Sequence, residues 1–487
     1  VSEIKLTPDQ QVAVDAICDF LDSGYDIFTL SGIAGAGKTT CIREAIKFRS
    51  NVIGATISHS AKFVLQESLQ GTGASCFTIA QLLGLKQEID EEGKIRFIPR
   101  GTQRERLPIA NAGVLIIDEC SMIDENTYRR LMSMKNDSCK VIMMGDVFQL
   151  PPVEEGVDSV VFDFTKATLN EAVRYTGPIA DLGNRIRTEI QKCNEDKPAT
   201  RHFINGWMTD ELDYNERTSL VDENGSGIIF LNDIDIAVDI AVDAFKNNED
   251  PNAMRLLAFR NSSIKKINSV IRTQIYCDGD EDKMDDILEF MPGELVICDG
   301  GYNVIPAYYH ENERPIPVQA IYNNQTFKVV NTVEIAKGPS NIPSLGMVLD
   351  PSPNDHGAGI YSLDYENGRH MYYDIHNEMR DTAKKATQDK DPMARNLWRQ
   401  YYAFKAQWAW FDYAYAQNCY KAQGRTFQDV IVFENDIFNI KKSTLKAKLQ
   451  AMYVSCTRAK RRVYIYNDRY RVNQDELPEE LKKELGL

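Results

Sequence analysis

Gly32-Ile33-Ala34-Gly35-Ala36-Gly37-Lys38-Thr39-Thr40 follows a short apolar run, Ile27–Leu30, and opens a stretch of helical length. It fits the pattern G-x-x-x-x-G-K-[ST]. The glycines let the backbone curl so that its N–H groups face phosphate oxygens, Lys38 neutralises the β and γ phosphates, and the Thr39 hydroxyl can ligate Mg²⁺. The amino end of the following helix adds a partial positive charge. ATP and Mg²⁺ are therefore the expected ligands, with Gly35, Ala36, Gly37, Lys38, Thr39 and Thr40 holding the phosphates.

On either side of this turn, apolar β-branched runs alternate with segments of helical spacing. Ile27–Leu30, Asn51–Ala55, Gly113–Ile117 and Lys140–Met144 read as buried strands of a mostly parallel sheet, which makes the class α/β. Ligands of such sheets sit beyond the carboxyl ends of the strands. There, Leu115-Ile-Ile-Asp118-Glu119 offers two carboxylates. Asp118 suits an Mg²⁺ contact, and Glu119 is the candidate base for an attacking water. After the next strand, Gly145-Asp146-Val-Phe-Gln149 supplies an amide where a γ-phosphate sensor would sit; an ordinary loop glutamine is the alternative.

Composition bounds the rest. The chain has 487 residues, of which 43% are hydrophobic and 26% charged, ordinary for two to four globular domains. No apolar run approaches the roughly 18–20 residues that cross a bilayer, and the first residues lack a secretory pattern. A soluble cytoplasmic protein with reduced thiols is expected. The ten cysteines form no C-x-x-C pair, so a structural zinc site has no support. Net charge is −15, which argues against a broad nucleic-acid-coating surface, yet Lys441–Asn467 holds eight basic residues and no acid. An acidic exterior with basic stretches is compatible with one strand held in a groove.

Taken together the motifs resemble superfamily 1 helicases of the 5′→3′ branch, the Dda-like and RecD-like enzymes. Thr7-Pro-Asp-Gln10 looks like the adenine-recognising Q motif; Asp118-Glu-Cys-Ser-Met122 and Gly145-Asp-Val-Phe-Gln-Leu-Pro-Pro-Val153 look like motifs II and III. Leu169-Asn-Glu-Ala-Val-Arg174 is similar to the motif whose arginine meets the γ-phosphate. Lys421-Ala-Gln423-Gly424 resembles motif V, and Tyr453-Val-Ser-Cys-Thr-Arg458-Ala459 resembles motif VI. Tyr420 and Ala80 stand where the family often has histidine, and Asn324-Gln325 replaces a common Asn-Gly.

The resemblance implies two RecA-like P-loop motor domains, with an inserted β-hairpin pin and an inserted SH3-like barrel plus helical tower. The expected boundaries are 1–175 for motor domain 1A (pin about 85–108), 176–290 with 410–487 for motor domain 2A, and 291–409 for the inserted domain 2B. It further implies catalytic roles for Lys38, Glu119, Gln149, Arg174 and Arg458, and nucleotide contacts from Gln10 and Gly424. An arginine delivered from a second lobe can contribute about 10³–10⁵ in rate, which would tie hydrolysis to lobe closure.

Strand contacts are expected from Ser58 and His59, after the second strand, and from Thr78; helix capping is an equal alternative for the hydroxyls. Two alternating runs around Asp90-Glu-Glu-Gly93-Lys94 read as the hairpin, with Phe97 as candidate wedge face. Trp398–Tyr415 holds nine aromatics. Trp398, Tyr401, Tyr402, Lys405 and Trp408 follow helical spacing, so a packed helix is favoured over a base-stacking track, with Met379–Lys390 as its partner helix. Gly293–Leu363 suits the barrel, Pro198–Gly227 a connector and Asp278–Asp286 a solvated loop.

The function expected is ATP-dependent 5′→3′ translocation on single-stranded DNA with duplex unwinding, in replication, recombination or repair. Single strands and duplex junctions are the expected partners, with replication or recombination proteins beside them, no membrane, and a monomeric chain. Two rivals stay open: a translocase that displaces bound proteins without unwinding, and a P-loop ATPase switch that is not a motor.

Overall fold

The β-branched runs quoted above become strands because each is apolar on both faces and can be buried on both faces. In a computed structural model, the order across the first sheet is Ser75–Thr78, Val52–Thr56, Val114–Ile117, Lys140–Gly145, Ile27–Gly32, Thr165–Leu169, and all neighbours run parallel. Leu115, Ile116 and Ile117 have no exposed surface. The structure describes residues 5–89, 95–99, 104–152, 159–173, 177–195, 197, 216–300, 302–304, 318–352, 359–364, 366–441, 443–473 and 482.

The chain divides into two units. The first comprises Val1–Leu83, Gln103–Ile275 and Tyr415–Leu487; the second comprises Gly84–Thr102 and Tyr276–Ala414. The first unit contains both large sheets. Its second sheet runs Leu220–Val221, Gly227–Leu231, Ala459–Tyr466, Phe427–Phe433, Met254–Ala258, Ala416–Asn418, parallel except for the first pair. The two lobes share one apolar cluster: Ala34 and Leu150 from the first pack with Ile228, Val432 and Met452 of the second. Helix Pro178–Asn194, amphipathic through Ile179, Leu182, Ile186 and Ile190, adds its buried face to that cluster and lies against helix Leu445–Cys456. Opening the cleft fully would expose this apolar surface, at about 25 cal/mol per Å².

The second unit is built on an antiparallel five-stranded sheet, Ile360–Leu363, Ser344–Asp350, Thr326–Ile335, Leu295–Cys298, Phe411–Tyr413. Helices Arg369–Gln388 and Ala394–Lys405 pack on each other, and strands Leu85–Ile89 and Ile95–Pro99 form an antiparallel hairpin whose first strand lies beside the second of those helices. The expected partner helix is longer than Met379–Lys390, and the aromatic helix is shorter than its spacing suggested. It stops at Lys405, and Trp408 lies beyond it. The reason is a tertiary contact: the Trp408 indole N–H donates to Ser344 Oγ (2.9 Å), which draws the chain onto the sheet. Asp278–Asp286 carries a short 3₁₀ helix, Glu281–Asp286, with no buried residue. Residues 90–94, the expected turn of the hairpin, and 198–215 of the expected connector lie outside the described residues.

The aromatics between 398 and 408 are core. Trp398, Tyr401 and Phe404 are buried and Trp408 has 0% exposure. Trp398 Nε1 donates to Thr387 Oγ1 (3.0 Å), Tyr401 Oη meets His376 Nε2 (2.8 Å), and Tyr372 stacks on Phe404, which ties the two helices together. Replacing Trp408 with Ala should cost about 3–5 kcal/mol of stability, the range for a fully buried large aromatic. Urea unfolding would register this as a lowered midpoint, whereas a base-stacking residue would leave the midpoint in place and weaken strand binding.

Candidate functional site

The phosphate-binding turn is shaped by contacts from its own residues and from the first helix. Gly37 takes a left-handed conformation (φ 82°) as the residue before helix Lys38–Ala45, and no side chain caps that helix. Its N-terminal N–H groups stay available to a phosphate. A Cβ at Gly37 would also press on the amide end of the Gln10 side chain. That amide donates to Ala36 O (3.0 Å), while Gln10 Oε1 accepts from Thr7 N–H (3.0 Å) in the capping box that starts helix Pro8–Asp22. Gln10 thus ties the first helix to the turn. Lys38 Nζ donates back to the carbonyls of Gly32 (2.8 Å) and Ile33 (3.0 Å).

Asp118 and Glu119 leave strand Val114–Ile117 beside this turn. Asp118 continues the strand, its N–H donating to Ala55 O (2.9 Å), and Asp118 Oδ1 accepts from Glu119 N–H (2.8 Å). Glu119 is held left-handed at φ 52°, ψ 42°. A non-glycine residue there costs about 1–2 kcal/mol, strain that such sites retain to aim a side chain. Beneath the pair, Cys120 is fully buried, and burial first, then the charges of Asp118 and Glu119, push its thiol well above the ordinary range. Asp118 and the Thr39 hydroxyl are the groups expected from sequence to contact Mg²⁺. Among the described residues, no group of three or more His, Cys, Asp or Glu could hold a metal ion.

Gln149 sits at the seam between the lobes, 3% exposed. Its side-chain oxygen accepts from Gln423 Nε2 (3.0 Å) and its carbonyl from Gln450 Nε2 (2.9 Å), both from the second lobe. Gln423 Nε2 also approaches Glu119 Oε2 at 3.5 Å. Gly424 follows with φ 77°, and a Cβ there would stand 3.6 Å from Glu119 Oε1. Asp146, 1% exposed, accepts at Oδ2 from Ala34 N–H (2.9 Å) and from the Tyr453 hydroxyl (2.7 Å), and at Oδ1 from Phe148 N–H (3.0 Å). Asp146, Gln423, Gln450 and Tyr453 received no role from sequence. Three of them stood inside the quoted motifs, but nothing in a linear pattern says which motif residues face one another.

Arg458 is 2% exposed, so its guanidinium does not face water. Nε donates to Val454 O (3.0 Å), Nη1 to Arg425 O (3.2 Å) and Nη2 to Thr457 Oγ1 (3.3 Å), all within its own lobe. Arg174 lies outside the described residues.

The expected strand-contacting residues are distributed differently. Ser58 Oγ caps helix His59–Ser68 by accepting from Ala61 N–H (3.1 Å). Thr78 is 2% exposed and caps the next short helix through Gln81 N–H (3.2 Å). His59 is pulled down to about 4, first by burial and then by Lys62, so it is neutral at pH 7. Phe97, on the hairpin of the second unit, is 55% exposed. Ile57, Phe63 and Val64, which sequence reasoning passed over, are also exposed in the first unit, with the Lys62 ammonium 5.2 Å from the Phe63 ring centroid.

Comparisons with known proteins find likenesses along most of the chain. Residues 5–204 match the AAA domain family and residues 413–466 the UvrD-like helicase C-terminal domain. The ATP-dependent DNA helicase dda of Enterobacteria phage T4 is 25% identical over 491 residues, covering 94% of this chain and 98% of the relative. An uncharacterised mimivirus protein, R530, is 24% identical over 93% of this chain and 98% of its own length. Among solved structures, the Pif1 helicase from Candida albicans aligns over 99% of both chains at 15% identity with a TM-score of 0.44. The chain is a P-loop protein of the α/β class with a parallel-sheet core. Within that class it is similar to the phage T4 DNA helicase over nearly the whole of both chains, and its residues 413–466 to the UvrD-like helicase C-terminal domain.

The depressed histidine has a consequence in acid. A group whose folded pKa lies below its unfolded value of about 6.5 contributes stability above that value and loses it as pH falls toward 4. The melting temperature should therefore drop between pH 6.5 and 4, and His59→Gln should drop by less over the same interval. Equal losses in both proteins would show that His59 is not the group being protonated.

Proposed function

We propose that the chain couples ATP hydrolysis to 5′→3′ movement along single-stranded DNA and parts duplex DNA ahead of it. The observation that carries this reading is the seam itself. The base and sensor candidates of one lobe, Glu119 and Gln149, are met by Gln423 and Gly424 of the other. A nucleotide in that seam is in contact with both lobes, so its cleavage changes what holds them together. The 5′→3′ sense rests on resemblance to the Dda-like branch, and the relative named as a DNA helicase supports DNA as the track.

In this scheme the N–H groups of residues 35–40 and the Lys38 ammonium bind the β and γ phosphates, with Gln10 positioning the turn and contacting the base. Glu119 takes a proton from the attacking water, Gln149 orients that water, and Arg174 and Arg458 balance the charge of the γ-phosphoryl group. The bond to the β-phosphate breaks, and ADP and phosphate leave. Thr39 and Asp118 would hold Mg²⁺, which would supply charge neutralisation at the phosphates. For Arg458 this requires exchanging carbonyl partners for phosphate, a local rearrangement of a side chain already desolvated.

Of the expected strand-contacting residues, His59 is proposed to meet the strand as a neutral hydrogen-bonding group, whereas the Ser58 and Thr78 hydroxyls serve as helix caps. The hairpin is proposed as the wedge, with Phe97 as its apolar face and the helix pair 369–405 as its brace, and the five-stranded sheet is proposed as the part expected to form the inserted barrel. Parting each base-pair step costs about 1.4 kcal/mol, which favours a braced, exposed ring over a bare loop. The proposed setting is the cytoplasm, as a monomer at duplex junctions, beside replication or recombination proteins.

Lys38→Ala and Glu119→Gln should each lower strand-stimulated ATP turnover at least 100-fold while strand affinity changes less than threefold. A Lys38→Ala protein with full turnover would refute the assigned site. Unwinding should occur from a 5′-tailed duplex and not from a 3′-tailed one. Phe97→Ala should lose unwinding yet keep strand-stimulated ATPase; unchanged unwinding would show that Phe97 is not the wedge, and a parent chain with stimulated ATPase but no unwinding would favour a translocase that only displaces bound proteins. Absence of any stimulation by single-stranded DNA in the parent chain would favour a switch ATPase.

A further inference from the structure

Asp146 is a buried carboxylate whose charge is balanced by hydrogen bonds from three segments. Two donors, Ala34 N–H and Phe148 N–H, belong to the first lobe; the third, the Tyr453 hydroxyl, belongs to the second. Ala34 N–H is shared, lying 2.9 Å from Asp146 Oδ2 and 3.3 Å from Tyr453 Oη. Ala34 is part of the phosphate-binding turn. A hydroxyl of one lobe and a backbone donor of the nucleotide turn therefore share one carboxylate oxygen, in a place that excludes water.

We propose that Tyr453 is a positioning residue that makes the shape of the phosphate-binding turn depend on lobe closure. With the lobes together, the hydroxyl satisfies Asp146 and fixes Ala34 N–H between two acceptors. With the lobes apart, Asp146 loses its donor from the second lobe, and the turn and the Asp146–Gln149 segment relax together. The neighbouring contacts point the same way. Gln450 precedes Tyr453 by three residues, hence on the same helix face, and holds the Gln149 carbonyl. The same helix runs directly into Thr457 and Arg458. Movement of that helix is thus delivered to the turn and to Gln149 at once. This inference rests on the ATP-driven, strand-stimulated reading above and adds the residue through which closure is felt.

The test is the ratio of ATP turnover with saturating single-stranded DNA to turnover without it, measured on the full chain. Tyr453→Phe removes one oxygen and keeps the buried ring. The ratio should fall about tenfold, the size expected for one hydrogen bond to a buried charge. A purely structural role would lower the active fraction in both conditions and leave the ratio unchanged, which would overturn the proposal. Asp146→Asn removes the charge that the hydroxyl serves. In the double variant Tyr453→Phe/Asp146→Asn the ratio should be no lower than in the worse single variant, whereas multiplying effects would show that the two residues act separately and would also overturn it. The double variant also relieves the unbalanced charge, so it still decides between these outcomes if Tyr453→Phe alone folds poorly. Loss of stimulation in the parent chain would sink the motor reading instead; a stimulated parent with an equally stimulated Tyr453→Phe sinks only this inference.

Discussion

A carboxylate with almost no access to water organises the seam of the first unit. Asp146 is 1% exposed, and a buried charge of that kind is tolerable only when donors surround it. Its donors come from the nucleotide turn, from its own loop and from the helix of the opposite lobe. Everything chemical about the cleft follows from that convergence. The turn is in place to receive phosphate because Gln10 and Asp146 hold it from two sides, and Gln149 is in place because its carbonyl and its amide are both gripped from the second lobe.

Polar bonds alone would leave such a seam easy to open. The shared cluster of Ala34, Leu150, Ile228, Val432 and Met452 supplies the non-directional part, and the hydrogen bonds set the register. This division suits a cleft that must close in one geometry and still reopen. Apolar contact tolerates small sliding, whereas the Asp146–Tyr453 and Gln149–Gln423 bonds are made at one position only. The second unit follows a different logic. Its rings are buried against one another, and Trp398, Tyr401, Phe404 and Trp408 stiffen a helix pair and its sheet. Nine aromatics in one stretch invite a binding interpretation, yet their hydrogen bonds to Thr387, His376 and Ser344 turn them inward.

Much of the site was legible because phosphate chemistry imposes local constraints. The glycine pattern with Lys38 and Thr39 needs no distant partner to be recognised, and the strand carrying Asp118 and Glu119 announces itself by its apolar run. The left-handed conformation of Glu119 was not legible, since glutamate has no preference for it and only surrounding packing imposes it. Ser58 and Thr78 carried two readings in sequence, and the geometry gives their hydroxyls to helix caps. The aromatic helix was overextended because helical spacing continues to Trp408, while the contact to Ser344, 64 residues away, ends it at Lys405.

What the amino-acid order determined unaided was the set of short-range commitments: the parallel strands, the phosphate turn, the carboxylate pair, the caps and the amphipathic faces. Each depends on residues within a few positions of one another, so periodicity and residue type suffice. Tertiary structure alone decided which of these meet. Tyr453 lies 307 positions from Asp146 and Gln423 lies 274 from Gln149, and no local preference encodes such pairings. They exist because two sheets share a core, and once that core forms, the polar groups trapped in it must find one another.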